Sequence, residues 1–332
     1  MDPMSPSSAL LYARYALLGA RCYGLMGASG VIAVDLSDWN SDLWYGSNAL
    51  FVLLDSYAAF GARRAAGLLA IVAIVSFAVE QWGVSSGAIF GAYDYGEKLG
   101  PKLGHVPLVI PCSWWMYFYA AHSVVDAIAR PGPGAAREQR MTAAEGGAGP
   151  DAEPDAGPNI SGSAVRPAGA RKDGVARSVA LATLDAFATT AIDLYVDPLF
   201  ARDGFWTWLD PSAQRPYFGI PLRNFAGWFA TAFLISVLFR VLLPATRAAR
   251  SARAHAGGEA LSVSAILRAW APALPLAWYA SEALFAAAGG ALPNLTPLRE
   301  LFDPAEAATL RLIAAFTTLP WAIFALAQFA TR

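Results

Sequence analysis

Charged side chains are scarce in this 332-residue chain, because Asp, Glu, Lys and Arg make up 15 % of it while 56 % is hydrophobic. A soluble domain carries about 25 % charged residues. Several apolar runs reach the roughly 20 residues that a transmembrane helix requires. The composition therefore predicts an integral membrane protein. The net charge of −1 says nothing about partners, and no basic patch for nucleic acid is present.

Cysteine is also scarce, with Cys22 and Cys112 both in apolar segments. Two cysteines are too few for a disulfide framework, and their spacing is not that of a metal site. His105 and His122 lie near apolar regions without a second ligand at metal-binding spacing. There is no P-loop, no glycine-rich dinucleotide turn and no nucleophile elbow. The sequence therefore predicts a protein that uses neither a metal ion nor a cofactor.

Long apolar segments predict an all-α fold, a polytopic membrane bundle of about eight helices. The first segment carries Arg14 and Arg21 and no small-residue cleavage site follows it, which predicts a retained helix rather than a signal peptide. The second is short and contains Asp55, so seven spans with one interfacial segment remain an alternative. The predicted spans are about 9–34, 43–60, 65–83, 106–128, 175–199, 218–242, 263–288 and 308–330.

The segment 130–174 differs from the rest in its high content of Pro, Gly, Ala and charge. Such a composition buries too little apolar area to fold, so a disordered cytoplasmic linker is predicted. It would separate an N-terminal half, 1–129, from a C-terminal half, 175–332, with four spans each.

Arginines in short loops predict the orientation. They follow the second, fourth and sixth spans, which places these loops and both termini in the cytoplasm, with the protein in the cell (inner) membrane. The loops around 84–105, 200–217 and 289–307 then lie together on the opposite face.

Two stretches, Gly91–Trp115 and Asp193–Phe229, resemble each other when Pro107 is aligned with Pro221. Each half has an acid near a span end, an aromatic pair in the loop, a V/I-P-L helix entry and a Trp seven residues after the Pro. Helical hairpins with aromatic belts would explain the aromatics and prolines but not the acids. The repeat therefore predicts two parallel hairpins whose acids and aromatics converge on one pocket. The paired positions are Glu80 with Asp193, Tyr93 and Tyr95 with Trp206 and Trp208, and Trp114 with Trp228.

Carboxyl groups within the spans are the main candidates for chemistry, namely Glu80, Asp193 and Asp197. A charge there costs about 2.5–3.5 kcal/mol on insertion scales and usually faces a cavity or a partner. Asp193 and Asp197 share one helix face, although Pro198 is expected to end the helix at Asp197. Two such carboxyls do not both ionise easily, so one is predicted to keep its proton and act as a general acid. The alternative is an Asp that pairs with Arg or caps a helix, and structural roles are predicted for Asp55, Asp126, Asp185 and Glu282.

Aromatic residues near the two loops exceed what one interfacial belt needs. An aromatic wall can bind a flat polyene, and its π faces can stabilise a cation. Interface anchoring alone is the alternative for part of this set. The residues are Tyr93, Tyr95, Trp114, Trp115, Trp206, Trp208, Tyr217 and Trp228.

Two blocks of motifs carry a resemblance to a known family. The matching positions are Phe90, Tyr93, Tyr95, Leu99, Gly100, Pro101, Leu103, Val106, Pro107, Ile110, Pro111 and Trp114 in the first block, and Asp193, Asp197, Pro198, Gly204, Trp206, Trp208, Tyr217, Phe218, Gly219, Pro221, Asn224, Gly227 and Trp228 in the second. In these positions the chain resembles the bacterial and archaeal carotenoid-biosynthesis membrane protein family, whose characterised members are carotenoid hydratases. The resemblance covers roughly residues 40–240, with the linker as an insertion.

The resemblance implies cofactor-independent hydration of the terminal double bond of an acyclic carotenoid end group. A proton goes to the CH carbon, and water captures the tertiary cation. The expected acid is Asp193 or Asp197, with Glu80 and Asp94 as alternatives. The expected substrate-binding residues are Tyr93, Tyr95, Trp206 and Trp208 around the cation, Asn224 to position the water, and Trp114, Trp228, Tyr217 and His105.

The expected partners are a carotenoid (lycopene, γ-carotene or a C50 carotenoid), membrane lipid and other carotenoid enzymes, without nucleic acid. A transporter is a competing interpretation, since intramembrane acids and repeats also occur there. The parallel repeat and the lack of broken helices near a midplane argue against it. A non-catalytic scaffold for carotenoids or lipids is the second competitor.

Overall fold

The computed structural model describes residues 6–28, 41–129, 168–209, 217–244, 267, 270–288 and 298–330, and most of them are helical. The helices are α1 (Pro6–Ala28), α2 (Ser41–Phe60), α3 (Ala62–Ser86), α4 (Val109–Ile128), α5 (Ala168–Arg202), α6 (Leu222–Leu242), α7 (Leu274–Ala288), α8 (Leu298–Leu301) and α9 (Pro304–Ala330). Four short strands accompany them: β1 (Tyr93–Tyr95), β2 (Lys102–Leu103), β3 (Val106–Pro107) and β4 (Trp206–Trp208). Single 3₁₀ turns occupy Glu97–Leu99 and Ala271–Ala273.

Four of the described helices are long and apolar enough to cross a membrane: α3, α6, the Gly174–Arg202 part of α5 and the Pro304–Ala325 part of α9. This confirms the predicted class, a helical membrane protein. The predicted number of spans, seven or eight, stays a prediction. Most of the proposed linker, 130–167, and several loop segments lie outside the described residues. Residues 168–174 were assigned to that linker, but they form the first turns of α5.

Helix α4 is the centre of the bundle. It packs against α2, α3, α5, α7 and α9. From Trp114 to Ala121 every one of its side chains is buried. A helix that is apolar on all sides is stable only when other elements surround it, which is the position that α4 occupies.

Helix α5 contains a proline in its interior and continues beyond it. Pro198 has no N–H for the carbonyl of Leu194, which would leave that oxygen without its helical partner. The hydroxyl of Tyr217 donates to this carbonyl at 2.6 Å. Because the carbonyl is satisfied from outside, the helix continues to Arg202, and the expectation that it ends at Asp197 is wrong.

The two loops that follow α3 and α5 meet at one end of the bundle. Strands β1 and β4 pair antiparallel, with Tyr93 opposite Trp208 and Tyr95 opposite Trp206. Lys98 reaches across to Asp203, with 3.1 Å between Nζ and Oδ1. The paired loops therefore bring the acids at the ends of α3 and α5 to the same end of the molecule.

The entry to α4 differs slightly from the prediction. Val106 and Pro107 form β3 with β2, so the helix begins at Val109 rather than at residue 106. In the second half Pro221 does stand at the helix start, as the residue before Leu222, with an extended backbone. Proline is favoured at a helix start because an N–H there would have no acceptor within the helix, so its absence costs nothing.

Candidate active site

A cavity lies beneath the β1–β4 pair. Both halves of the chain line it. The first half contributes Glu80 from α3, the loop residues Phe90, Tyr93, Tyr95 and Leu99, Tyr45 from α2, and Ile110, Ser113, Trp114 and Tyr117 from α4. The second half contributes Asp193, Val196, Asp197 and Phe200 from α5, Trp206 and Trp208 from β4, and Asn224 and Trp228 from α6.

Glu80 accepts hydrogen bonds on both carboxyl oxygens. The indole of Trp114 donates to Oε1 at 2.8 Å. The hydroxyls of Tyr93 and Tyr95 donate to Oε2, at 2.5 and 2.7 Å. Three donors therefore fix the position of this one buried carboxyl group.

The two phenols lie in the loop outside the helices, and their protonation suits this donor role. Burial, followed by the charge of Glu80, raises the pKa of Tyr93. The same two causes, in the same order, raise the pKa of Tyr95 well above its ordinary value. Both hydroxyls therefore keep their protons and remain donors at neutral pH.

Asn224 joins the two aspartates of α5. Its Nδ2 donates to Asp193 Oδ2 at 2.9 Å and to Asp197 Oδ2 at 2.5 Å. Asp193 and Asp197 are one turn apart on the same face of α5, and Asn224 approaches them from the first turn of α6. Both amide protons are used in this way, so Asn224 joins the two aspartates, and its role in positioning water stays a prediction.

The remaining two oxygens of this pair differ. Asp197 Oδ1 accepts from the indole of Trp206 at 2.6 Å, so both oxygens of Asp197 accept hydrogen bonds. Asp193 Oδ1 receives no hydrogen bond from the described part of the chain, while Asp193 itself is 1 % exposed and lines the cavity. If the two aspartates share one proton, Asp193 Oδ1 is the best place for it, because this oxygen accepts no hydrogen bond from the described residues.

Aromatic rings form most of the remaining wall. Trp114 and Trp228 stack with ring centroids 3.9 Å apart and planes 21° from parallel. Tyr93 packs against Trp208 with centroids 5.1 Å apart, and Tyr95 meets Trp206 edge-on at 6.1 Å. The pairs predicted from the internal repeat thus contact one another in space. The indole N–H groups of Trp114 and Trp206 and the hydroxyls of Tyr93 and Tyr95 point to the carboxyl groups, while the rings form the apolar wall beside them.

Three of the predicted site residues do not line the cavity. Asp94 is exposed, because alternate residues of β1 face opposite sides. His105 is also exposed, and its backbone N–H donates to Gln81 Oε1 at 3.0 Å. Tyr217 serves the carbonyl of Leu194 instead. The other predicted residues, Glu80, Tyr93, Tyr95, Trp114, Asp193, Asp197, Trp206, Trp208, Asn224 and Trp228, all line the cavity.

Several cavity residues were not predicted, and helical spacing could have found most of them. Residues 110, 113, 114 and 117 of α4 follow the i, i+3, i+4, i+7 rule, as do residues 193, 196, 197 and 200 of α5. Once Trp114 and Asp193 were candidates, their helical neighbours Ile110, Ser113, Tyr117, Val196 and Phe200 followed. Tyr45 of α2 has no such signal.

Other buried acids have structural partners. Asp55 is bound by the guanidinium of Arg14 and by the hydroxyl of Tyr119. Asp185 accepts from Arg240 at 2.6 Å and from Ser236 at 2.5 Å, with His122 at 3.1 Å. Within the described ranges, no group of three or more His, Cys, Asp or Glu side chains is arranged to hold a metal ion.

The fold and the cavity define a class, a helical membrane protein with a buried, aromatic-walled site that holds three carboxyl groups. The chain belongs to the carotenoid biosynthesis protein family, since the family's sequence model matches residues 46–147 and 162–293. These matched segments contain the cavity residues except Tyr45. The resemblance drawn from the motifs is thereby confirmed.

One curated relative is the bisanhydrobacterioruberin hydratase of Haloarcula japonica, to which the chain is 25 % identical over 179 residues. This alignment covers 53 % of the chain and 45 % of the relative, so the chain spans about half the length of the protein that it matches. No solved structure matches the chain.

Proposed function

We propose that this membrane protein of carotenoid biosynthesis hydrates the terminal double bond of an acyclic carotenoid end group. The family membership and the name of the distant relative support a carotenoid substrate and a hydration. The assignment of Asp193 as the proton donor rests on one observation. Of the three cavity acids, Asp193 has an oxygen that is free of hydrogen bonds from the described residues and lies in the cavity wall.

In the proposed reaction, the proton on Asp193 Oδ1 forms a C–H bond with the CH carbon of the alkene, using the π electron pair. The other alkene carbon becomes a tertiary cation. Water then forms the C–O bond and returns a proton to the Asp193 carboxylate, so the enzyme ends in its starting state. No electrons are gained or lost, so the balance requires only alkene and water.

The neighbouring groups would stabilise the intermediate. The carboxyl groups of Glu80 and Asp197 line the same cavity, where negative charge on either group would stabilise the cation. Preorganised charge of this kind supplies much of the catalysis in many enzymes. The rings of Trp206, Trp208 and Tyr93 add cation–π attraction.

The test compares Asp193→Asn with Asp197→Asn in a host that accumulates lycopene or γ-carotene. General acids contribute about 10²- to 10⁴-fold, so Asp193→Asn is expected to lower the hydroxylated product by at least about 100-fold. Asp197→Asn is expected to have a smaller effect, because it removes charge but leaves the donor. Pigment analysis with protein levels matched by immunoblot gives the measurement.

Asp94→Asn serves as the control, since Asp94 is an exposed acid on the strand that carries Tyr93 and Tyr95. It is expected to give wild-type pigment. Wild-type product from Asp193→Asn would remove Asp193 as the donor. A wild-type protein that leaves every acyclic carotenoid unchanged would contradict hydration itself and return transport and scaffolding to consideration.

A further inference from the structure

The buried acids of the described residues fall into two groups. Asp55, Asp185 and Asp203 each pair with a basic side chain, from Arg14, Arg240 and Lys98 respectively. Glu80, Asp193 and Asp197 are at most 4 % exposed, yet the described residues offer them only neutral donors. The described part of the chain therefore supplies cations to its other buried acids and none to the three that face the cavity.

This contrast indicates a missing positive charge. Buried charges are normally paired, because an unpaired one loses its hydration without compensation. The donors to Glu80, from Trp114, Tyr93 and Tyr95, carry no charge that would balance a carboxylate. The same is true of Trp206 and Asn224 at Asp197.

The walls of the cavity indicate what kind of cation fits. A hard metal cation takes six or more oxygen ligands or keeps part of its hydration shell. Here the carboxyl groups share the cavity wall with the rings of Tyr93, Tyr95, Trp114 and Trp228. Quaternary ammonium groups are recognised by such aromatic cages, and acids at the base of a cage strengthen the attraction.

We infer that the cavity is a binding site for lipophilic organic cations with a small branched head, such as alkyltrimethylammonium ions. The inference deepens the proposed function, because a tertiary carbocation has this shape and charge, and it rests on that function for its biological meaning. A stable ammonium ion undergoes no reaction, so its binding can be measured whether or not the protein hydrates an alkene.

The test uses the full-length protein in lipid nanodiscs and dodecyltrimethylammonium as the probe. Its neutral isostere is 2,2-dimethyltetradecane, in which a carbon atom replaces the charged nitrogen. Equilibrium dialysis measures binding of the labelled ammonium ion, with binding to empty nanodiscs subtracted. Unlabelled ammonium ion or the isostere then competes at equal mole fraction in the lipid.

The ammonium ion is expected to bind at least about tenfold more tightly than the isostere, since charge is the difference between them. Glu80→Gln is expected to weaken its binding by about tenfold or more, while Asp94→Asn should bind as the wild type does. The comparison of the two ligands on the unmodified protein holds even if Glu80→Gln fails to fold.

Equal competition by the isostere would overturn the inference, because the cavity would then select shape and not charge. Hydration together with equal competition would contradict the cation site and leave the proposed function standing. Selective ammonium binding without any hydration would support the cation site and contradict the proposed function.

Discussion

At the scale of single residues, hydrogen bonding distinguishes three carboxyl groups that the sequence presents as equivalent. Glu80 has three donors, Asp197 has two, and Asp193 keeps one oxygen free within the described structure. Donors occupy both oxygens of the first two, and the free oxygen leaves room for a proton on the third. The choice between Asp193 and Asp197, which spacing left open, thus depends on the position of Trp206.

The raised pKa values of Tyr93 and Tyr95 predict a loss of stability in alkaline solution. A free tyrosine titrates near pH 10. Because the pKa in the folded protein lies above this value, the stability that the two protonated hydroxyls contribute is fully present below about pH 10 and is lost as the pH rises further. The thermal unfolding midpoint in detergent is therefore expected to fall more steeply above pH 10 in the wild type than in Tyr93→Phe or Tyr95→Phe.

The exposed Tyr57 supplies the control for this comparison. Tyr57→Phe should reproduce the wild-type slope above pH 10. Identical slopes in all four proteins would mean that the two loop phenols do not titrate with unfolding, and the account of their raised pKa would be wrong.

At the scale of elements, the side chain of Phe90, in the loop after α3, fills the space between α3 and α6. A Cβ at Gly227 of α6 would lie 2.6 Å from Phe90 Cδ1, and a Cβ at Gly83 of α3 would lie 2.8 Å from Phe90 Cδ2. The two glycines therefore allow α3 and α6 to pack around Phe90 directly beside Glu80 and Asn224. This explains the glycine in the last turn of α3 and the glycine in the second turn of α6.

Gly227→Ala is expected to destabilise the protein by about 1–3 kcal/mol, the usual effect of overpacking a filled core. Gly19→Ala in α1 is the matched control, because no atom of the described residues lies within 4 Å of its Cβ position. It should be neutral or stabilising by at most about 1 kcal/mol. Unfolding in detergent measures both, and an equal effect of the two changes would contradict the packing role of Gly227.

Helix α1 is fixed by a buried ion pair rather than by apolar contacts alone. Arg14 binds Asp55 of α2, and its Nη2 also donates to the Ala271 carbonyl at 3.1 Å. Arg14→Met is expected to cost about 3–5 kcal/mol because it leaves the Asp55 charge buried. The double change Arg14→Met with Asp55→Leu should recover much of this loss.

The pair of Arg202 with Glu306 provides the comparison, since both side chains are partly exposed. Arg202→Met is expected to cost less than about 1 kcal/mol. If the Arg14 change were as mild in the same unfolding measurement, the pair would not be what fixes α1.

At the scale of the whole molecule, the sequence indicated many of the residues that line the cavity but not how they are arranged. Repeated order along the chain identified Glu80, Asp193 and the aromatic pairs, because residues in equivalent positions of parallel hairpins reach the same end of a bundle. The pairing of β1 with β4, and the bond from Tyr217 to Leu194, depend on contacts between distant parts of the chain. Local pattern carries no information on such contacts, and so Asp94, His105 and Tyr217 were included in the site.

The cavity belongs to neither half alone, which predicts that the chain can be divided. Glu80 and Trp114 come from the first half, while Asp193, Asp197 and Asn224 come from the second. Contacts of α4 with α5, α7 and α9, and of α3 with α6, cross between the halves. The covalent connection between the halves contributes mainly an entropic term, which changes only slowly with the length of the connecting segment. The contacts themselves should therefore reassemble the halves when they are made as separate chains.

The cut is placed after residue 147, between the two segments that match the family. Residues 1–147 and 148–332 expressed together are expected to co-purify through a tag on one of them and to restore pigment conversion, and either half alone should convert nothing. Co-purification depends only on the interface, so it tests the assembly even where the carotenoid product is absent. Conversion by a single half would show that the three carboxyl groups do not act in one shared cavity.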